Sequence, residues 1–152
     1  MIHTLGDADG GAGSGKFGRE SLEQGPDVRT VVVSTGGGGL VAGIAAAVKA
    51  VQPDVQIVAA QAAGAAAYPG SLAAGRPVAL TSMATFADGI AVVCPGAVTF
   101  AHVRDLLDRA VTLDAAARAR ALLLRPARPN PVVQPDRRPR APRVRDRPHS
   151  SV

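Results

Sequence analysis

One stretch restricts the fold more than any other: Thr30-Val-Val-Val-Ser-Thr-Gly-Gly-Gly-Gly-Leu-Val-Ala-Gly43, a β-branched run passing straight into four glycines and then an apolar segment. The unbroken apolarity near its start, bounded by turn residues, predicts a strand over 30–34 buried on both faces. Alanine and leucine predict a helix over 40–51, ended by Gln52-Pro53-Asp54. Val55-Gln-Ile-Val-Ala59 then reads as a second buried strand. Strand, crossover helix and strand within about 30 residues form the repeating unit of a parallel sheet, so the chain is α/β.

The glycines also mark the most informative site. Four in a row cost conformational entropy, yet they permit positive φ and close approach of a ligand to the main chain. The helix after them aims unpaired N–H groups and the positive end of its dipole into the turn. Gly36, Gly37, Gly38, Gly39 and Leu40 are therefore candidates to hold a phosphate, with the Ser34 and Thr35 hydroxyls as further donors. The alternative is a tight strand-to-helix turn without a ligand. A dinucleotide fingerprint fits loosely through Gly37, Gly39 and Ala42, but Ala59-Ala60-Gln61 lacks the acidic residue that pattern needs. Gly10-Gly-Ala-Gly-Ser-Gly-Lys-Phe17 matches a nucleotide loop only until Phe17, where a Mg²⁺-binding hydroxyl belongs, and no strand precedes it.

Elsewhere the pattern is weaker. Residues 1–16 read as a Gly/Asp-rich loop and 17–24 as a short helix. A helix is expected around 65–74, a candidate strand at 90–93 in an ambiguous stretch, a helix over 96–108 and a short strand at 110–113. Asp114 would cap a helix over 115–124. Aromatics make up only 3% of the chain and Trp is absent, so the interior must rely on small aliphatic side chains.

The net charge of +5 first suggests a nucleic-acid binder, but its location argues otherwise. Eight arginines, two aspartates and seven of the twelve prolines fall in residues 125–152, leaving the rest near neutral. Such a tail has too little apolar surface to order itself and no aromatics to stack bases, so it reads as a disordered extension and a poor nucleic-acid partner. The apolar run over 40–48 is short of the about 18 residues of a membrane span. No basic n-region or apolar h-region marks a secretory signal. The single cysteine, Cys94, makes no intrachain disulfide, so a reducing cytoplasm is expected.

The order of these segments resembles threonine dehydratase (threonine/serine ammonia-lyase), a pyridoxal-phosphate enzyme of the tryptophan-synthase β-like fold. The resemblance rests on residues 30–49, on Pro53-Asp-Val-Gln-Ile-Val-Ala-Ala-Gln61, on Ala84-Thr-Phe-Ala-Asp-Gly-Ile90 and on Val103-Arg-Asp-Leu-Leu-Asp108. Ala12-Gly-Ser-Gly-Lys-Phe-Gly-Arg-Glu-Ser-Leu-Glu-Gln24 is similar to the family's A-G-Q-G-T-x-G-x-E-x-L-E-Q, with Lys16 where threonine is usual. The resemblance implies a fragment of the family's large domain, a partial parallel sheet with flanking helices, over residues 12–124. A flexible N-terminus (1–11) and the disordered basic tail (125–152) would flank it.

The resemblance further implies that the glycine loop, Gly36 to Gly39 with Leu40, binds pyridoxal 5'-phosphate through backbone N–H groups. Family members take L-threonine to 2-oxobutanoate and ammonia. Their Schiff-base lysine and ring-side asparagine have no counterpart here, and neither has the E-P-[AS]-G motif or the serine or threonine at the pyridine nitrogen. Lys49 lies nine residues after Leu40, about 13 Å along the helix. No catalytic residue is assigned, and the chain is expected to be inactive alone. Where some relatives hold a divalent cation, Gln61-Ala-Ala-Gly-Ala-Ala-Ala67 has no carboxylate, so no metal site is expected. The expected partners are the cofactor and an amino-acid substrate, and a homo-oligomer or a complementing chain stays open. The competing reading is a non-catalytic phosphate- or nucleotide-binding module whose basic tail contacts nucleic acid; a third is a remnant that does not fold stably.

Single residues complete the expectations. Asp88-Gly89 either borders the substrate pocket or makes an ordinary turn. His102, with Asp105 and Asp108, is read as an exposed helix face. Cys94 is read as an apolar filler, and Tyr68 and Phe86 as core or pocket wall.

Overall fold

The computed structural model describes residues 8–117 and residue 119. Among them, three strands form a parallel sheet in the order β1 (Thr30–Ser34), β2 (Gln56–Ala62), β3 (Arg109–Leu113). Thr30 pairs with Gln56 and Ser34 with Ala60; Val58 pairs with Arg109 and Ala62 with Leu113. Around the sheet lie α1 (Ala8–Gln24), α2 (Gly39–Val51), α3 (Ala67–Ala74) and α4 (Ala97–Leu106), with single 3₁₀ turns at Ala63–Ala65 and Asp88–Ile90.

The β1-α2-β2 crossover forms where the apolar pattern places it. Burial on both faces, however, belongs to β2, whose residues after Gln56 are all buried. In β1 burial alternates, with Val31 and Val33 inside and Val32 half-buried. The cause is position: β2 is the central strand, whereas β1 lies at one edge among the described residues. The core is centred on Val33, Val41, Val48, Ile57, Tyr68 and Val103. A thin aliphatic interior was expected, yet the fully buried Tyr68 stacks on Phe100 with ring centroids 6.3 Å apart. Phe86, by contrast, is 43% exposed and is not core.

Two expectations about elements are corrected. The loop expected through residue 16 is helical from Ala8. Glycine disfavours a helix by about 1 kcal/mol relative to alanine, so propensity argues against this one; packing against α2 overrides it. A Cβ on Gly18 would lie 3.0 Å from the Ile44 carbonyl oxygen and 3.3 Å from Ala47 Cβ, so the two helices approach more closely than a larger residue would allow. The candidate strand at 90–93 does not form: Asp88–Ile90 is a 3₁₀ turn, and the Leu80 N–H to Val93 carbonyl bond of 2.9 Å joins two irregular segments. Asp114 does cap the next helical turn, accepting from the Ala117 N–H at 2.5 Å. The expected tail over 125–152 lies outside the described residues, as does most of residues 1–11.

The far end of α2 is latched to the α4–β3 connection. Lys49 Nζ lies 2.9 Å from Asp108 Oδ2 and 3.0 Å from the Pro53 carbonyl oxygen, and Asp108 Oδ2 accepts the Ile57 N–H at 2.7 Å. Partial burial pushes the Asp108 carboxyl upward, but the Ile57 N–H and the Lys49 ammonium outweigh it and hold the group below the usual carboxylate range. Asp108 is exposed, as expected, but it lies just beyond α4 and fixes the start of β2.

Candidate functional site

All three strands run the same way, so their carboxyl ends share one side of the sheet, where ligands of open α/β sheets bind. At that end of β1 the glycine turn leads into α2. Gly38, the N-cap, has φ 98° and ψ −9°, a left-handed conformation, and no side chain caps the first turn. The first helical bond runs from the Ala42 N–H to the Gly38 carbonyl, 2.9 Å. The N–H groups of Gly39, Leu40 and Val41 precede it and have no acceptor within the helix. Leu40 is exposed, Gly36 and Gly39 are half-buried, and Gly37 and Gly38 are buried.

Protein contacts demand glycine at one position of the turn and crowd another. A Cβ on Gly38 would sit 1.8 Å from Tyr68 Oη, and one on Gly36 would sit 3.0 Å from Ile90 Cα. The carbonyl oxygen of Gly37 accepts from Tyr68 Oη at 3.2 Å and lies 2.9 Å from Thr99 Oγ1. Thr99 shares its one hydroxyl hydrogen with the Gly96 carbonyl, 3.0 Å away. Gln61 Nε2 donates to the Thr35 carbonyl at 3.3 Å, and its Oε1 accepts the Tyr68 N–H at 2.9 Å. Tyr68, Thr99, Gln61 and Thr35 are all buried, so the turn rests on a floor of satisfied polar groups. Burial pushes the Tyr68 phenol above its ordinary range, partly offset by the Thr99 hydroxyl, so it stays protonated at neutral pH.

The expected donors divide. Thr35 is turned inward, its hydroxyl donating to the Val33 carbonyl at 3.0 Å, so it is not a further ligand donor. Ser34 lies half-buried at the end of β1. Asp88 is exposed and uses Oδ1 to accept the adjacent Gly89 N–H, while the following Ile90 backbone abuts Gly36. The Asp-Gly turn thus both closes itself and borders the glycine turn. His102 is exposed, with Nδ1 2.9 Å from the Val98 carbonyl. The Gly/Lys motif near residue 10 falls inside α1, so it makes no nucleotide loop; Lys16 is exposed and lies 3.7 Å from Glu20. A groove of ≈ 720 Å³ between α1, α2 and α4, lined in part by Lys16, Arg19 and Glu20, meets the glycine turn at Gly39 and its floor at Thr99. Sequence reasoning missed the roles of Gln61 and Thr99; a glutamine following the apolar run Ile57–Ala60 was the one signal that could have found the first.

The family pattern described as pyridoxal-phosphate dependent enzyme matches residues 1–128. The chain belongs to that family. This pyridoxal-phosphate dependent family member is 41% identical over 114 residues to the L-threonine ammonia-lyase of Geobacter sulfurreducens, a match covering 75% of this chain and 28% of that protein. Among solved structures, a threonine deaminase from T.th. superposes with a TM-score of 0.84 at 34% identity, over 89% of this chain and 47% of the other. Maize serine racemase gives a TM-score of 0.84 at 36% identity, over 89% and 41%. The chain therefore spans 28% of that curated relative and less than half of these two structures. Its small parallel sheet and flanking helices are those of tryptophan-synthase β-like pyridoxal-phosphate enzymes.

Proposed function

We propose that this pyridoxal-phosphate dependent family member grips the cofactor phosphate at the glycine turn, through the backbone N–H groups of Gly36, Gly37, Gly38, Gly39 and Leu40. The observation that carries the reading is the uncapped start of α2 behind a left-handed Gly38, at the carboxyl end of a parallel strand. A dianionic phosphate fits that donor set, because the first turn of α2 leaves backbone N–H groups without a helical acceptor and the helix dipole adds positive potential. When bound, the cofactor supplies the electron sink for bond cleavage at the α-carbon of an amino acid. The chain's part is to hold and orient it. The reaction class is that of the threonine/serine ammonia-lyases, L-threonine giving 2-oxobutanoate and ammonia.

The chain does not complete that reaction alone. It has two lysines. Lys16 is exposed on α1 beside Glu20, and Lys49 is tied to Asp108 at the far end of α2. Lys49 is remote from the glycine turn and Lys16 is exposed in the groove beside it, whereas this chemistry needs an amine covalently joined to the cofactor carbonyl carbon.

Purified chain mixed with pyridoxal phosphate and L-threonine is expected to form no 2-oxobutanoate above the protein-free control. It should still bind the phosphate ester, and Gly37→Asp, which sets a carboxylate at the anion site, should abolish binding. Sustained turnover by the chain alone would contradict the inactivity. Tighter binding of a nucleotide than of pyridoxal phosphate would favour the nucleotide-module reading instead.

A further inference from the structure

The Gly37 carbonyl receives the Tyr68 hydroxyl and faces the Thr99 hydroxyl, and all peptide bonds of the described residues are trans. In a trans peptide the C=O and the following N–H point in opposite directions. Holding the Gly37 carbonyl against two buried hydroxyls therefore turns the Gly38 N–H away from them. The same logic applies two peptides earlier: Gln61 Nε2 holds the Thr35 carbonyl, which turns the Gly36 N–H away from Gln61. Gln61 also anchors Tyr68 through its backbone N–H, so the floor is one connected network spanning β2, α3 and α4.

We infer that Tyr68 and Thr99, with Gln61 behind them, are positioning residues that preset the glycine-turn N–H groups to receive a phosphate. This rests on the phosphate reading proposed above and deepens it. Four glycines in succession leave the free chain many backbone states, and a ligand would have to select one. Two hydroxyls on one carbonyl remove that freedom before the ligand arrives, which is how preorganisation raises affinity without a new contact. The geometry favours a structural hold over a direct ligand role, since both side chains are buried and committed to protein carbonyls.

The test uses the full chain and pyridoxamine 5'-phosphate, which has no aldehyde to react with lysine, against pyridoxamine, which has no phosphate. Wild type should prefer the phosphate ester strongly. The Tyr68→Phe/Thr99→Val variant keeps ring and shape but leaves the Gly37 carbonyl without donors; it should bind the ester about tenfold more weakly, with pyridoxamine binding unchanged. Its Gly38 amide resonance should shift in the ligand-free protein. Thr99→Ser, which keeps the hydroxyl, should restore wild-type preference where Thr99→Val does not, and this single-site pair serves if the double variant fails to fold. Equal preference in wild type and variants would overturn the positioning role while leaving the phosphate site standing. No preference for the ester in wild type would overturn the phosphate reading and this inference with it.

Discussion

At Gly38, backbone and packing make the same demand. A φ of 98° is costly for any residue with a side chain, and the space a Cβ would fill is occupied by Tyr68 Oη. Gly38→Ala should therefore lower stability by about 2–4 kcal/mol in urea unfolding, combining backbone strain with overpacking. Gly70 is the control: it lies in α3 with open space around its Cα and no positive φ. Gly70→Ala should raise stability by about 0.5–1 kcal/mol. Equal effects at the two sites would mean that the turn is not held as described. The glycine run was legible in the sequence as a strand-to-helix turn, but which of its glycines the packing restricts was not. That depends on Tyr68, distant in sequence, and on Ile90.

At the scale of elements, what could be read was what local pattern determines. The first strand, the α2 helix, the final strand and the Asp114 cap each follow from β-branched runs, alanine content or turn residues. The start of α1 was hidden because its glycines argue against a helix; of these, Gly15 packs against Gly43 and Ala47 of α2, while Gly13 faces open space. The segment before α4 was ambiguous because its hydrogen bonds pair irregular stretches that have no period to detect. The bonding role of Asp108 was missed for a similar reason, since its partners Lys49 and Ile57 come from other elements. Its carboxyl is held low, so its stabilising effect is present above the unfolded carboxyl pKa and is lost as pH falls through the lower folded value. Asp108→Ala should cost about 1–2 kcal/mol at neutral pH, and the gap from wild type should narrow as pH falls below about 4. A gap independent of pH across that window would show that the charge contributes nothing.

At the scale of the molecule, the basic balance of the sequence is a poor guide to its chemistry. The arginines that create it lie in residues 125–152, while the sheet and helices that resemble threonine deaminase and serine racemase carry the glycine turn. Among the described helices none is long and apolar enough to cross a membrane. The groove between α1, α2 and α4 is the rival location for a ligand, and it is distinct enough from the turn for the two to be told apart. The most direct measurement is therefore a ¹⁵N–¹H titration of the full chain with pyridoxamine 5'-phosphate. The amides of Gly36 to Leu40 should shift first and furthest, with pyridoxamine leaving them in place. Shifts confined to residues such as Arg19, Glu20 and Ala46, or none at all, would contradict the assignment of the glycine turn as the phosphate site.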